Sequence, residues 1–288
     1  MRIANVEGRA QLIVERGLAA VDVADASAGL FGPDPAGLYE RWAEFREWAA
    51  ETVADDGDSP FESVPFDPAR AGPPSPAPRQ VFAVALNYRA HAAESGHAAP
   101  EDPLIFPKYV SAFSGPVSQV VLPEGKVDWE CELVVVIGRA AHHIDAAGGW
   151  SHVAGLTVGQ DISERVLQRK GPAPQFGLGK SFPGFAPTGP VLVTPDELAN
   201  PDDLAIGCEV NGHPMQSART SDMIFPVPAL IAFIAAVVTL LPGDVIFTGT
   251  PPGVGAGRQP QVFLAAGDEL TSHIEGIGEL RQRFVASY

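Results

Sequence analysis

The stretch VDWECELVVVIG, residues 127–138, decides the fold. The apolar run that begins at Leu133 predicts a β-strand that enters the core of the protein. Glu130 and Glu132 precede this run at a spacing of i and i+2. In a strand that spacing places both carboxylates on one face and Cys131 on the other.

Two carboxylates on one side of a strand repel each other unless a cation lies between them. Glu130 and Glu132 therefore have two interpretations, which their spacing alone does not separate. Both side chains face solvent where the strand begins, or they form a pair of oxygen ligands for a hard divalent cation. Asp128 flanks the pair, and the sequence gives it no role of its own.

Outward from this strand, short β-branched runs separated by Gly and Pro predict a mainly β domain with few helices. The runs are Gln80–Leu86, Cys131–Ile137, Thr157–Val158, Val191–Thr194, Ala205–Val210 and Val245–Thr248. The clearest helical pattern covers Pro228–Leu241. We therefore expect an α+β fold in which strands dominate.

The first 70 residues predict a small N-terminal α/β domain. Arg2–Val6 and Ala10–Val14 predict a hairpin, and the apolar residues between Leu38 and Trp48 fall on one face of a single helix. Residues 71–79, which contain AGPPSPAP, predict a proline-rich linker. The catalytic domain is then expected over residues 80–288.

Charge and composition exclude several classes of partner. Lys and Arg total 19 against 35 Asp and Glu, so the net charge is −16. This balance argues against binding to nucleic acid or to an anionic membrane, since both need a basic face. Two cysteines exclude a disulfide framework, and Pro226 and Pro228 interrupt the longest apolar stretch. A soluble cytoplasmic protein is expected.

Asp161 is a third carboxylate that could take part in a metal site. It follows a strand-like run, and the residue type suits either a metal ligand or a helix N-cap. Arg165 and Gln168 follow at +4 and +7, which would place them on one helical face with Asp161. These side chains could bind an acidic, oxygenated substrate. An ordinary surface helix would show the same spacing.

His91 and Glu94 form a candidate general-base pair in the segment VALNYRAHAAESG. On a helix, residues at i and i+3 are neighbours, and a carboxylate can orient an imidazole for proton transfer. The alternative is an exposed His–Glu pair on a polar helix. Lys180 in GLGKSFPGFAPTGP and Thr250 in the TGTPPGVG loop add polar groups that could hold a carboxylate.

Taken together, these motifs resemble the fumarylacetoacetate hydrolase family. The resemblance covers about residues 80–280 and follows the order NYRAHAAES, PLIFPKYVSAFSGP, VDWECELVVVIGR, GLTVGQDISERVLQ, GLGKSFPGFAPTGP, EVNGHPMQSARTSDMIF, LLPGDVIFTGTPPGVG and GDELTSHIEGIGEL. It implies a twisted β-sandwich roll, a homodimer and a divalent metal, Mg²⁺ or Mn²⁺. By this resemblance Glu130, Glu132 and Asp161 are the metal ligands.

The resemblance also implies roles for the remaining candidates. His91, Glu94 and Lys180 match the family's catalytic positions, and the substrate-binding positions are Lys108, Arg165, Gln168 and Thr250. The sequence departs from the family in two places, Gln160 where Asn usually precedes the metal aspartate, and Pro183 where many members have KSFD. Both departures bear on substrate preference.

The implied activity is hydrolysis of a C–C bond in a 2,4-dioxo acid of the acylpyruvate or fumarylpyruvate type, through a metal-stabilised enolate. The substrate would be a small anionic 2-oxo acid. Alternatives within the family are a 2-oxo-acid decarboxylase, a dehydratase or a dienedioate isomerase, which use the same enolate chemistry. A catalytically silent member that binds a metabolite is a further alternative.

Overall fold

The structure is a computed structural model that describes residues 1–14, 18–52 and 61–287. Its strands in that part of the chain are β1 (Arg2–Val6), β2 (Arg9–Val14), β3 (Ala19–Asp22), β4 (Val64–Pro65), β5 (Ala71–Gly72), β6 (Val81–Ala85), β7 (Leu104–Pro107), β8 (Phe113–Ser114), β9 (Val117–Leu122), β10 (Val127–Asp128), β11 (Cys131–Ile137), β12 (Val153–Gln160), β13 (Ser163–Glu164), β14 (Ala186–Val193), β15 (Ala205–Val210), β16 (His213–Arg219), β17 (Val245–Phe247), β18 (Glu269–Ile274) and β19 (Gly278–Ala286). The helices are α1 (Val23–Ala26), α2 (Pro35–Glu40), α3 (Trp42–Thr52), α4 (Arg89–Glu94), α5 (Arg165–Gln168), α6 (Phe176–Gly179) and α7 (Val227–Ala235).

Two sheets build the core, and strands outweigh helices as the sequence predicts. The larger sheet has the order β4-β3-β2-β1-β14-β12-β11-β17-β6-β7, and the smaller one has the order β16-β15-β18-β19-β9. β11 lies inside the larger sheet between β12 and β17, and all seven of its residues are buried. Cys131, on the face opposite the glutamates, is buried toward the smaller sheet.

The N-terminal hairpin forms where the sequence predicts it, and it extends the larger sheet. Arg2 pairs with Val193 and Ile3 with Leu192, which joins β1 to β14. The predicted single helix between Leu38 and Trp48 is wrong, because the chain forms two helices that meet at Arg41. The break keeps the aromatic residues in one cluster, with the Tyr39 and Trp42 rings stacked 5.5 Å apart.

The aromatic cluster packs at the end of β11 farthest from the glutamates. A Cβ atom on Gly138 would lie 2.6 Å from the Trp42 ring, so only glycine fits there. Seven strand residues at about 3.3 Å each separate this contact from the start of β11. The N-terminal residues that the structure describes therefore stabilise the sheet at a distance from the carboxylates.

Strand register explains why distant sequence motifs meet. β11 and β12 are antiparallel, with Cys131 opposite Gln160 and Glu132 opposite Gly159. Asp161 continues this ladder, since its backbone N–H donates to Glu130 O at 2.9 Å. β17 pairs with β11 on the other side, so the loop that follows β17 runs beside the start of β11. All of these segments end at the same edge of the sheet.

Candidate active site

Three buried carboxylates meet where β11 begins and β12 ends. Glu130, Glu132 and Asp161 each offer an oxygen, and these oxygens lie within 4.8 Å of one another. The helix N-cap interpretation of Asp161 is wrong, because Glu164 caps α5 by accepting from Val166 N and Leu167 N. Asp161 also lies outside the helix, so the predicted shared helical face does not include it. The carboxylates are brought together by strand pairing.

The three carboxylates have different electrostatic environments. Burial raises the pKa of Glu132 well above its usual value, and the neighbouring Asp161 and Glu130 charges raise it further. Burial also disfavours the charged form of Glu130, but Lys180 and Arg165 outweigh that effect and lower its pKa. Glu132 forms no ion pair with a described Lys, Arg or His residue. A buried carboxylate cluster of this kind fits a divalent cation bound by oxygen ligands.

Lys180 and Arg165 neutralise Glu130 from two sides. Lys180 Nζ lies 2.7 Å from Glu130 Oε2 and 2.5 Å from Asp161 Oδ2. Arg165 donates to Glu130 Oε1 at 2.7 Å and to Gln168 Oε1 at 3.1 Å. The Arg165 and Gln168 side chains therefore meet on one helical turn of α5, as their spacing predicts.

Lys108 lies beneath Asp161 with all of its donors used. Its ammonium group donates to Asp161 Oδ1 at 2.5 Å, to Phe185 O at 3.2 Å and to Lys180 O. An ammonium group has three N–H donors, so these contacts leave none for a substrate. This placement differs from the expected substrate contact. Lys108 instead orients the Asp161 carboxylate and fixes the backbone of Lys180.

His91 and Glu94 lie on one turn of α4, as the sequence predicts. His91 Nδ1 is 2.8 Å from Glu94 Oε1, and the imidazole is 7% exposed. Both oxygens of Glu94 accept from Gly253 N, at 2.9 and 3.1 Å. The carboxylate is therefore fixed between the helix and the loop that follows β17.

Asn87 fixes the start of α4 against the same loop. Its side-chain amide donates to Thr248 O at 2.7 Å and to Phe225 O at 3.0 Å. Gly249 has a φ of +97°, and a Cβ atom there would lie 2.7 Å from Asn87 Cβ. Glycine allows this close approach and leaves the Gly249 N–H free to donate to Glu132 Oε2 at 2.8 Å.

One cavity, of about 190 Å³, is lined by most of the side chains that the sequence predicts for the site. Lys108, Glu132 and Asp161 are the exceptions. Those that line it are His91, Glu94, Glu130, Arg165, Gln168, Lys180 and Thr250. Glu132 and Asp161 lie behind Glu130 and Lys180, within the carboxylate cluster. The cavity thus joins the proposed metal cluster to the proposed general base.

The two sequence departures lie beside the cavity and do not line it. The Gln160 amide accepts from Glu130 N at 2.9 Å and donates to Ser272 Oγ at 2.8 Å. It therefore fixes the backbone of the first glutamate from the face toward the smaller sheet. Pro183 is exposed, in the turn after Lys180.

Two residues of the site lie within the quoted motifs, but no pattern in the sequence gives them a role. Gln216 donates to Thr250 Oγ1 at 2.8 Å and accepts from Cys131 N at 2.9 Å. Asp128 is completely buried and accepts from Arg165 Nε at 2.9 Å, Gly255 N at 2.7 Å and Ala256 N at 2.9 Å. Its position two residues before Glu130 in the sequence is the one available hint. Asp128 ties α5 to the loop that follows β17.

We expect Asp128→Asn to destabilise the protein and to impair the site. The substitution leaves the buried Arg165 guanidinium with one carboxylate partner, Glu130, and breaking a buried ion pair costs about 3–5 kcal/mol. Urea unfolding should show a loss of that order, and kcat/KM should fall. Asp145→Asn is the matched control, because Asp145 is exposed and should change stability by less than about 0.5 kcal/mol. Equal stability of the two variants would contradict the tethering role.

The comparisons with known proteins show the family to which the chain belongs. Residues 80–285 match the family model described as fumarylacetoacetate (FAA) hydrolase C-terminal. The chain is 47% identical over 210 residues to the mitochondrial oxaloacetate tautomerase of Homo sapiens, across 72% of this chain and 67% of that protein. The chain belongs to the fumarylacetoacetate hydrolase family, and the resemblance seen in the sequence is confirmed.

Solved structures confirm the fold over the full length. A crystal structure from Mycobacterium smegmatis is 55% identical, with a TM-score of 0.93 and coverage of 100% of both chains. A maleylpyruvate hydrolase from Sphingobium sp. SYK-6, solved in complex with manganese(II) ion and pyruvate, is 27% identical, with a TM-score of 0.80 and coverage of 100% of both chains. The relatives are enzymes of this family. No helix in the described part of the chain is long and apolar enough to cross a membrane.

Proposed function

We propose that this chain is a divalent-metal-dependent hydrolase that cleaves a C–C bond of a 2,4-dioxo acid of the acylpyruvate or fumarylpyruvate type. The observation that carries the proposal is the oriented His91–Glu94 pair on the wall of the cavity that contains Glu130 and Lys180. Hydrolysis needs an activated water, and an imidazole held by a carboxylate is the group that most often activates one.

Glu130, Glu132 and Asp161 would hold the metal, Mg²⁺ or Mn²⁺. When bound, the metal would supply a Lewis acid that offsets negative charge on the 2-oxo acid. Two features support this assignment: the buried triad of carboxylates and the manganese(II) ion in the related maleylpyruvate hydrolase. Acidity of the whole chain does not oppose an anionic substrate, because Lys180 and Arg165 provide local positive charge.

His91 would act as the general base. With Nδ1–H donating to Glu94, the lone pair on Nε2 is available to accept a proton from water. The resulting hydroxide adds to the 4-oxo carbon, and the bond between C3 and C4 then breaks. The electron pair moves to C3 and the 2-oxo group, and a proton completes the pyruvate product. Arg165 and Gln168 would contact the polar groups of the substrate.

A second candidate is keto–enol tautomerisation of a 2-oxo dicarboxylic acid. The 47% identity to the human oxaloacetate tautomerase favours it. Tautomerisation needs proton transfer to and from carbon and leaves every C–C bond intact, so the products separate the two activities.

The experiment is incubation with acetylpyruvate, fumarylpyruvate and oxaloacetate in the presence of Mg²⁺ or Mn²⁺. We expect the 2,4-dioxo acids to yield pyruvate and a second acid, measured by NMR. Faster loss of the enol absorbance of oxaloacetate, with no cleavage of either dioxo acid, would instead establish the tautomerase. Decarboxylation would appear as pyruvate from oxaloacetate. No turnover with any substrate would favour a metabolite-binding member.

The homodimer and the cytoplasmic location stay predictions. Light scattering of the purified protein would test the first.

A further inference from the structure

We propose that Arg169 makes this site selective for 2-oxo acids that carry a second, remote carboxylate. The inference rests on the proposed function and concerns the end of the cavity farthest from the metal cluster. Arg169 and His97 both line the cavity and both are exposed. Neither belongs to a motif that the sequence analysis assigns to the site.

Arg169 is a cation without an acidic partner in the part of the chain that the structure describes. Lys180 is neutralised by Glu130 and Asp161, and Arg165 by Glu130 and Asp128. Arg169, in contrast, has no carboxylate within 4.0 Å among residues 1–14, 18–52 and 61–287. It is therefore the arginine of the cavity lining whose charge is available to an anionic ligand.

The position of Arg169 follows from α5. Arg169 comes four residues after Arg165 and caps the helix with a φ of −102° and a ψ of 10°. Residues at i and i+4 lie on the same side of a helix, about 5–6 Å apart at their Cβ atoms. Arg165 is buried against Glu130 while Arg169 is exposed, so Arg169 continues the same wall toward the mouth of the cavity.

The mouth holds further hydrogen-bond donors, contributed by the end of α4. Gly96 has a φ of +77°, and His97 N bonds back to Ala92 O at 2.9 Å. This turn places Ser95 and His97 on the cavity lining together with Arg169. A carboxylate at the mouth would therefore have the Arg169 guanidinium, the Ser95 hydroxyl and the His97 imidazole available to it.

Apolar side chains line the part of the cavity where the carbon chain of such a substrate would lie. The Phe106 ring lies beneath Lys180 Nζ, at 5.1 Å, and contacts the Phe176 ring at 5.6 Å between centroids. Val84 and Val254 line the cavity as well. The cavity thus has charged groups beside the carboxylate cluster, apolar side chains along its wall, and at its mouth the Arg169 guanidinium, which has no carboxylate partner among the described residues. This arrangement suits a short carbon chain with an anionic group at each end.

The test compares two ligands of equal length, 2-oxoglutarate and 2-oxopentanoate, which differ in the second carboxylate. Binding to the protein loaded with Mg²⁺ is measured by calorimetry for wild type, Arg169→Gln and Arg169→Lys. We expect Arg169→Gln to weaken 2-oxoglutarate about tenfold and 2-oxopentanoate less than twofold. Arg169→Lys should keep part of the preference, because it keeps the charge.

Lys170→Gln is the matched control. Lys170 is exposed and adjacent, but it does not line the cavity, so its loss removes one charge and should leave both affinities unchanged. Equal effects of Arg169→Gln on both ligands, or equal effects of Arg169→Gln and Lys170→Gln, would overturn the inference and leave the proposed function standing. Failure of the wild type to bind either oxo acid would overturn the inference, whereas the proposed function is overturned only by the absence of cleavage of the 2,4-dioxo acids.

Discussion

Glu132→Gln is expected to abolish the stabilisation of the protein by Mg²⁺ while leaving the metal-free protein at least as stable as wild type. Burial and the charges of Asp161 and Glu130 raise the pKa of Glu132, so its protonated form is favoured when no cation is bound. Glutamine resembles that neutral form and cannot ionise. We therefore expect the metal-free variant to lie within about 1 kcal/mol of wild type near pH 4.5 and to be the more stable of the two at higher pH. Thermal unfolding with and without Mg²⁺ measures both effects.

Glu130→Gln is the matched comparison, two residues away and immediately before the same strand. Glu130 is paired with Lys180 and Arg165, so glutamine leaves two buried cations short of a partner. We expect a loss of about 3–5 kcal/mol in the metal-free protein. Both variants should lose activity. Equal metal-free stability of the two variants would contradict the electrostatic difference described for the two glutamates.

The raised pKa of Glu132 makes the stability of the metal-free protein depend on pH. A carboxyl group whose pKa is higher in the folded than in the unfolded protein stabilises the fold fully below the unfolded value, near 4.5, and loses that contribution as the pH rises toward the folded value. Metal-free wild type should therefore lose stability over this range relative to Glu132→Gln. Parallel stability curves would show that the folded pKa is not raised.

His91→Ala is expected to reduce hydrolysis of a 2,4-dioxo acid about 10²- to 10⁴-fold, with Mn²⁺ affinity unchanged within twofold. The loss is that of a positioned general base, and His91 is not a member of the carboxylate cluster. Steady-state kinetics and Mn²⁺ titration by electron paramagnetic resonance measure the two effects. Unchanged cleavage would remove His91 from the mechanism.

Two further variants serve as comparisons for His91→Ala. Glu94→Gln should cause a smaller loss, since its amide oxygen still accepts from His91 Nδ1 but carries no charge. His213→Ala should have no effect, because His213 is exposed at the start of β16 and does not line the cavity.

Local patterns predicted the elements of the site better than their assembly. The i, i+2 spacing of Glu130 and Glu132 and the i, i+3 spacing of His91 and Glu94 are properties of a single strand and a single helical turn, and both pairs occur as expected. Asp161 joins the glutamates through the pairing of β11 with β12, which no local spacing contains. The N-cap interpretation of Asp161 is therefore wrong, and α5 begins later, at Arg165.

Roles that depend on burial were not readable from the sequence. Asp128 and Lys108 are ordinary charged residues in the chain, and their functions come from what surrounds them once the strands have paired. Lys108 meets three acceptors beneath Asp161, which its motif did not indicate. The break between α2 and α3 at Arg41 was likewise not readable. The regular apolar spacing predicts one helix, but tertiary packing of the aromatic residues favours two.

The contacts of Lys108 and Lys180 with Asp161 also bear on whether the metal can be removed and exchanged. Lys108 and Lys180 balance part of the negative charge of the carboxylate cluster from within the chain, so these acids do not need an added ion to be held together. Treatment with a chelator should then leave a folded protein. One purified batch could be reloaded with Mg²⁺, Mn²⁺ or Ca²⁺ in turn, and the preference for each ion could be ranked without changing the sequence.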